Sequence, residues 1–502
     1  MMGTTWFTRM LALTLLVMCS KVSVSQQVGL VSFANSGPAA AQAEFLHGLF
    51  QLHNFEYEDA AAHFERAQRI APDFAMAYWG EAMTENHPVW HEQDRAAALK
   101  ILARLGKTPE ERLAKAATER EKMYLQAVET LYGAGTKEAR DLLYEASMAS
   151  LHRRFPDDVD ATSLYALSIL GSAEQGRDFA IYMRAAAVLE EVFPQNAHHP
   201  GVVHYLIHSY DDPIHAPLGL RAARIYAEVA PEAAHAQHMT SHIFLALGMW
   251  DEVVKANETA VAAGSHAPYN GQAGCGHYFY WLAYGYLQQG RPEDARRILA
   301  GCQRRAEREA RRQQDSVDAD DSAVGSYSEM RAMFLIESRL WNDEVVAEHL
   351  PAGNHPFAQF TFDYTTAFAT VNGGDEVVAR AAIAKVESDR VRCDPLLKKT
   401  DFDDAEERVR QHILVGQLQA LLLLKAGKSD EAVLALEALS AEEHGMPPEF
   451  GPPEVNKPTD ELLGETLLQL RRPKEARAAF TAALARAPGR RLSTLALADM
   501  HE

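Results

Sequence analysis

The sequence predicts an all-α protein, an α-solenoid of stacked antiparallel helix pairs. Three observations carry that prediction. Small, aromatic and proline residues recur at fixed offsets in 34-residue blocks at both ends of the chain. Helix-start signals precede the apolar runs, as at Thr108-Pro109-Glu110-Glu111, a capping box with proline in the first helical position. No window alternates polar and apolar residues over the length of a useful strand.

The chain opens on a targeting-type segment. Arg9 is followed by the apolar run Met10 to Met18, which is too short to span a bilayer comfortably. Ser23-Val24-Ser25 then supplies small residues where a signal peptidase cuts, so residues 1–25 are read as a signal peptide and cleavage is expected near Gln26. Lipidation at Cys19 is the alternative, but Met18 is bulky where a small residue is preferred. The expected destination is the periplasm or the exterior. No later stretch is apolar enough for a membrane helix.

After a linker at 26–40, residues 41–74 carry Gly48, Ala60, Phe64, Ala67 and Pro72. Residues 457–490 carry Leu463, Gly464, Leu467, Ala476, Phe480, Ala483 and Pro488. Both sets fit one 34-residue helix-pair pattern: small residues let the two helices approach, the aromatic fills the gap between pairs, and proline ends the second helix. Weaker copies lie near 234–267 (Gly248, Trp250, Asp251, Glu252), 276–309 (Gly290, Asp294, Ala295, Leu299) and 413–446 (Gly427, Glu431, Ala432, Leu436). Pro156, Pro194 and Pro231 recur at slightly longer intervals, as small insertions would produce. Most apolar residues at helical spacing, Trp79 and Trp250 included, are expected to be inter-repeat core.

Three segments extend the pattern: His199 to Asp211, Phe74 to Met83, and His238 to Phe244. With the 457–488 stretch, they resemble exported bacterial tetratricopeptide-repeat (TPR) proteins over most of residues 41–490. The resemblance implies stacked TPR-type helix pairs and no settled activity. The expected organisation is an array at 41–320, further repeats at 321–490 and a tail at 491–502.

The chain is 502 residues long, 47% hydrophobic and 24% charged, with a formal charge of -20. That acidity disfavours nucleic acid and anionic membranes as partners. The basic run Arg304 to Arg312, followed by the acidic run Asp315 to Asp321, reads as a solvated helix and a charged loop. Phosphate-binding glycine loops, a Gly-x-Ser-x-Gly elbow, paired-cysteine metal motifs and a His-Glu-x-x-His motif are all missing, and no carboxylate pair stands out as a general acid and base. Cys275 and Cys302 fall at neighbouring ends of one antiparallel pair, so they are expected to bridge, leaving Cys393 unpaired.

The histidines carry the chemistry. His204 and His208 are four residues apart, as are His238 and His242, so each pair projects from one helix face and can grip one ion. If repeats begin at Pro200 and Ala234, His204 and His238 are both fifth positions and His208 and His242 both ninth, with His235 second. In TPR proteins those positions line the concave groove, so the resemblance implies a ligand-binding surface of His204, His208, Asp211, Asp212, His235, His238 and His242. Two readings stay open. Buried hydrogen-bonded core or contact with an acidic peptide is one. The other is a divalent transition metal, zinc, copper or iron, held by His204, His208, His238 and His242 with Asp212 or Asp211 completing the shell. His47, His53, His87 and His91 form a weaker second cluster. The functional expectation is an exported scaffold binding a protein or peptide partner in its groove, with a metal-binding protein or metalloenzyme as the alternative.

Overall fold

The computed structural model describes residues 31–173, 176–264, 274–311, 322–351, 353–374, 376–398 and 402–500. The expected signal peptide with Cys19, residues 26–30 of the expected linker, Arg312 and the acidic run lie outside them. Within them the chain is almost wholly helical. In order the helices are α1 (Ala39–His53), α2 (Tyr57–Ile70), α3 (Ala75–Met83), α4 (Arg95–Leu105), α5 (Pro109–Leu113), α6 (Glu119–Leu131), α7 (Lys137–Arg154) and α8 (Val159–Leu170). There follow α9 (Phe179–Val192), α10 (Pro200–Tyr210), α11 (Ala216–Val229), α12 (Ala234–Ala246), α13 (Trp250–Gly264), α14 (His277–Gln288), α15 (Pro292–Arg311) and α16 (Ala323–Ser338). The last are α17 (Pro356–Gly373), α18 (Glu376–Cys393), α19 (Phe402–Lys425), α20 (Ser429–His444), α21 (Thr459–Gln469), α22 (Pro473–Arg486) and α23 (Arg491–Asp499).

Apart from α4 and the short α5, each helix packs on the next, which gives stacked helix pairs and the expected all-α solenoid. One departure is an antiparallel ribbon of two residues per strand, β1 (Asn86–His87) and β2 (Glu92–Gln93). The signature residues act as anticipated. Gly48 and Gly464 lie against the rings of Phe64 and Phe480, where an added Cβ would come within 2.9 and 2.8 Å of ring carbons. Thr108 accepts the Glu111 N–H at the start of α5 and Pro109 takes the first helical position, but the expected capping box is only half formed, since the Glu111 carboxylate accepts the Lys107 N–H and not that of Thr108. Cys275 and Cys302 are disulfide-bonded with Cα atoms 4.4 Å apart, and Cys393 is a buried free thiol.

Alternate helices form an inner layer. In α10 every residue is buried, and α12 is buried almost throughout, because α11 and α13 cover one side and neighbouring inner helices the other. The chain's end returns to the 248–290 pair. Trp250 donates its indole N–H to the Gly489 carbonyl at 2.8 Å, and the Arg491 N–H reaches Gln288 Oε1 at 2.8 Å. The 445–458 connection lies against the inner layer too, with Phe450 under the Arg177 guanidinium at 5.0 Å and Gly451 against Trp281. The inner face is thus partly filled by the chain itself.

Candidate metal centre

Three inner helices supply six imidazoles. His204 and His208 project from α10, His235, His238 and His242 from α12, and His277 is the first residue of α14. They gather as two triads. In each, one ring nitrogen from every member lies within 4.8 Å of the others: His204, His208 and His235 in the first, His238, His242 and His277 in the second. His204 Nε2 and His208 Nε2 are 3.2 Å apart. His238 Nε2 is 3.1 Å from His242 Nε2 and 2.9 Å from His277 Nε2. The repeat generates both triads alike: fifth and ninth positions of one first helix, plus the second position of the next.

Hydrogen bonds fix the tautomers on three rings. His204 donates Nδ1–H to the His53 carbonyl at 2.7 Å. His238 donates Nδ1–H to Asn257 Oδ1 at 2.7 Å, and Asn257 gives its own amide N–H to the Val253 carbonyl, so its oxygen is the acceptor. His242 donates Nδ1–H to Asp211 Oδ2 at 2.6 Å. In their neutral forms these rings turn bare Nε2 lone pairs inward. His238 and His242 then point two lone pairs at one another, which is repulsive unless a proton or a metal ion lies between them. His235 Nε2 is buried with no hydrogen-bond partner.

Electrostatics keeps the rings in the ligating form. Burial, then the neighbouring imidazoles, holds His204, His208, His235 and His238 well below the usual histidine range. Neutral imidazole is the form that binds metal. Aromatic walls close the space. The Phe55 ring is 4.4 Å from His204 and 5.6 Å from His208, and the Trp281 ring is 4.3 Å from His242. His277 alone of the six is exposed among the described residues.

Several placements differ from the sequence expectation. The imidazoles do not line an open groove: His204 and His238 are 0% exposed and His242 8%. The four histidines expected to share one point divide between two triads. Asp212 does not face them. It accepts from Arg177 at 3.2 Å, from the His215 ring at 2.8 Å and from the backbone N–H groups of Ile214 and His215, because it sits past the end of α10 where the chain turns. Asp211 acts behind His242 and not as a ligand beside it. His47, His53, His87 and His91 do not form a cluster: His47 stacks on His63, His87 stacks on Tyr57, and His91 sits at the ribbon turn. His53 shares Asp160 with His199 at 3.0 and 3.2 Å. These three also bring their ligand atoms within 4.8 Å of one another; burial pushes the Asp160 carboxyl up, but the His199 and His53 donors hold it well below the carboxylate range, so the carboxylate is already taken, while His199 Nδ1 is buried without a partner. Sequence reasoning missed His277 altogether and placed His235 only in the groove. The available signal was their shared second position.

No protein-family model and no curated protein matches the chain. Among solved structures, the Cut9–Hcn1 hetero-tetramer of APC/C matches at 11% identity and TM-score 0.35, covering 94% of this chain and 78% of that one. Yeast Tom70 matches at 14% identity and TM-score 0.36, covering 92% and 95%. The TPR domain of P58(IPK) matches at 14% identity and TM-score 0.23, covering 92% and 98%. The fold assignment rests on the helix pairs described above. Among the described residues, no helix is long and apolar enough to cross a membrane.

Proposed function

We propose that this is an exported helical-repeat protein that binds a transition metal through the α10–α12–α14 histidines. The observation that carries the reading is the facing pair of bare nitrogens, His238 Nε2 and His242 Nε2, 3.1 Å apart with both Nδ1 atoms already donating. Two nitrogens bound at about 2.0–2.1 Å to a tetrahedral ion lie about 3.3–3.4 Å apart, close to the spacings found here. A metal-bound histidine also characteristically gives its other N–H to a carboxylate, amide or carbonyl, and His204, His238 and His242 each do so. Export rests on the N-terminal sequence pattern.

Metal analysis of protein purified without a histidine tag tests the reading. A stoichiometric transition metal is expected, lost when His208 and His242 are both replaced by alanine while helical circular dichroism persists. Metal-free protein after supplementation and desalting sinks it.

A second reading, a scaffold for a protein or peptide partner, is supported by the extended surface of stacked repeats. Leu142 and Leu143 on α7 and Leu218 on α11 are exposed at 60%, 55% and 53%, outside the buried imidazoles. Partner capture unchanged in the histidine variants, with no metal retained, would favour this reading over the first.

A further inference from the structure

Six imidazole donors exceed what one tetrahedral ion takes. They also do not surround one point. The shortest spacings within each triad, 2.9 to 3.2 Å between Nε2 atoms, suit nitrogens on a shared ion. Among the described residues, the imidazole nitrogens that lie within 4.8 Å of one another form these two triads and no group that joins them. The helical repeat explains the division: His235 leans back to α10, while His238 and His242, on the following turns of α12, reach forward to α14. Taking the metal reading above as its basis, we infer that the cluster is two separate ion sites of different chemistry. The enclosed His204–His208–His235 triad takes copper(I), and the His238–His242–His277 triad takes a divalent ion such as zinc.

Charge and access separate them. Burying an uncompensated charge is costly, and the cost grows steeply with its size. Around the first triad, the Arg177 guanidinium donates to the His208 and Ser209 carbonyls and is paired with Asp212, so that pair cancels. His204 is backed by a neutral carbonyl. Among the described residues, the further carboxyl near this triad is Glu56, which accepts the His235 backbone N–H at 3.2 Å and not an imidazole N–H. A monovalent ion is therefore the better match. Three neutral imidazoles under the Phe55 ring offer a dry three-coordinate site, a geometry that d10 copper(I) accepts readily. The second triad has Asp211 hydrogen-bonded behind His242, which strengthens that ligand and offsets charge. His277 is also the most exposed of the six histidines, so water can complete a tetrahedron around a divalent ion.

The experiment uses the full chain, desalted after loading with copper(I) under anaerobic reducing conditions or with zinc(II). Metal per chain is counted by mass spectrometry, and affinities are measured by chelator competition. His235→Gln and His277→Gln are the variants, chosen because His235 Nε2 has no protein partner to orphan and His277 is exposed. The expected result is one copper(I) and one zinc(II) per chain. His235→Gln weakens copper(I) binding at least tenfold and leaves zinc unchanged, and His277→Gln does the reverse. Copper absorption spectra should show three-coordinate, all-nitrogen ligation. A single ion per chain, weakened equally by both variants, overturns the two-site inference while the metal reading stands. Two zinc ions with no copper(I) preference overturn the assignment of the enclosed site. No retained ion of either kind overturns both readings.

Discussion

At the residue scale, the decisive chemistry lies behind the imidazoles. Asp211 holds His242 in the tautomer that bares Nε2, accepting its Nδ1–H at 2.6 Å. Asp211→Asn keeps the shape and removes the charge. Metal affinity at the second triad is expected to fall about 10- to 100-fold, with the circular dichroism spectrum unchanged. Chelator competition measures this, and unaltered affinity would mean that Asp211 only fills space. The His-x-x-x-His spacing was legible in the sequence because four residues bring side chains to one helix face. The backing groups were not: Asn257 belongs to α13 and the His53 carbonyl to α1, and nothing local ties either to the histidine it supports.

At the scale of elements, the repeat is held by contacts in which a glycine is the only residue that fits. Gly464 on α21 meets the Phe480 ring of α22, and a methyl group there would sit 2.8 Å from ring carbons. Gly464→Ala is expected to cost about 1–3 kcal/mol of stability through overpacking. Chemical denaturation followed by circular dichroism checks it, and an unshifted midpoint contradicts the packing account. This part of the fold was readable because glycine and phenylalanine keep a fixed offset within one pair. The same logic located the Cys275–Cys302 bond, since antiparallel ends of one pair are neighbours. The β1–β2 ribbon was not readable: it pairs only two residues on each strand, too few to leave an alternating pattern.

At the scale of the molecule, Arg490 ties α14, α16 and α21 together. Its guanidinium is fully buried between Glu337 and Glu461, at 2.6 and 2.9 Å, and donates to the Tyr284 hydroxyl at 3.1 Å. Burial disfavours the charge, but the two carboxylates hold the Arg490 pKa well above its usual value. Arg490→Met strands Glu337 in the interior, while Glu461 keeps Lys457 at 2.8 Å and the Ser493 hydroxyl at 2.6 Å. A loss of about 3–5 kcal/mol is expected, in part recovered by adding Glu337→Gln. Urea unfolding of the single and double variants measures both. A neutral single substitution would show that the tie is dispensable.

The sequence by itself determined the helical-repeat architecture, the disulfide and the positions of five of the six clustered imidazoles, because each follows from spacing within one helix pair. Only the tertiary structure decided that these rings are buried rather than lining a groove. It divided them into two triads, recruited His277, and turned Asp212 to Arg177 and His215. The physical reason is one of range. A 34-residue period specifies which side of a helix faces inward. It does not specify what comes to cover that side, and here the cover includes Phe55 from the α1–α2 turn and the 445–458 connection from far along the chain.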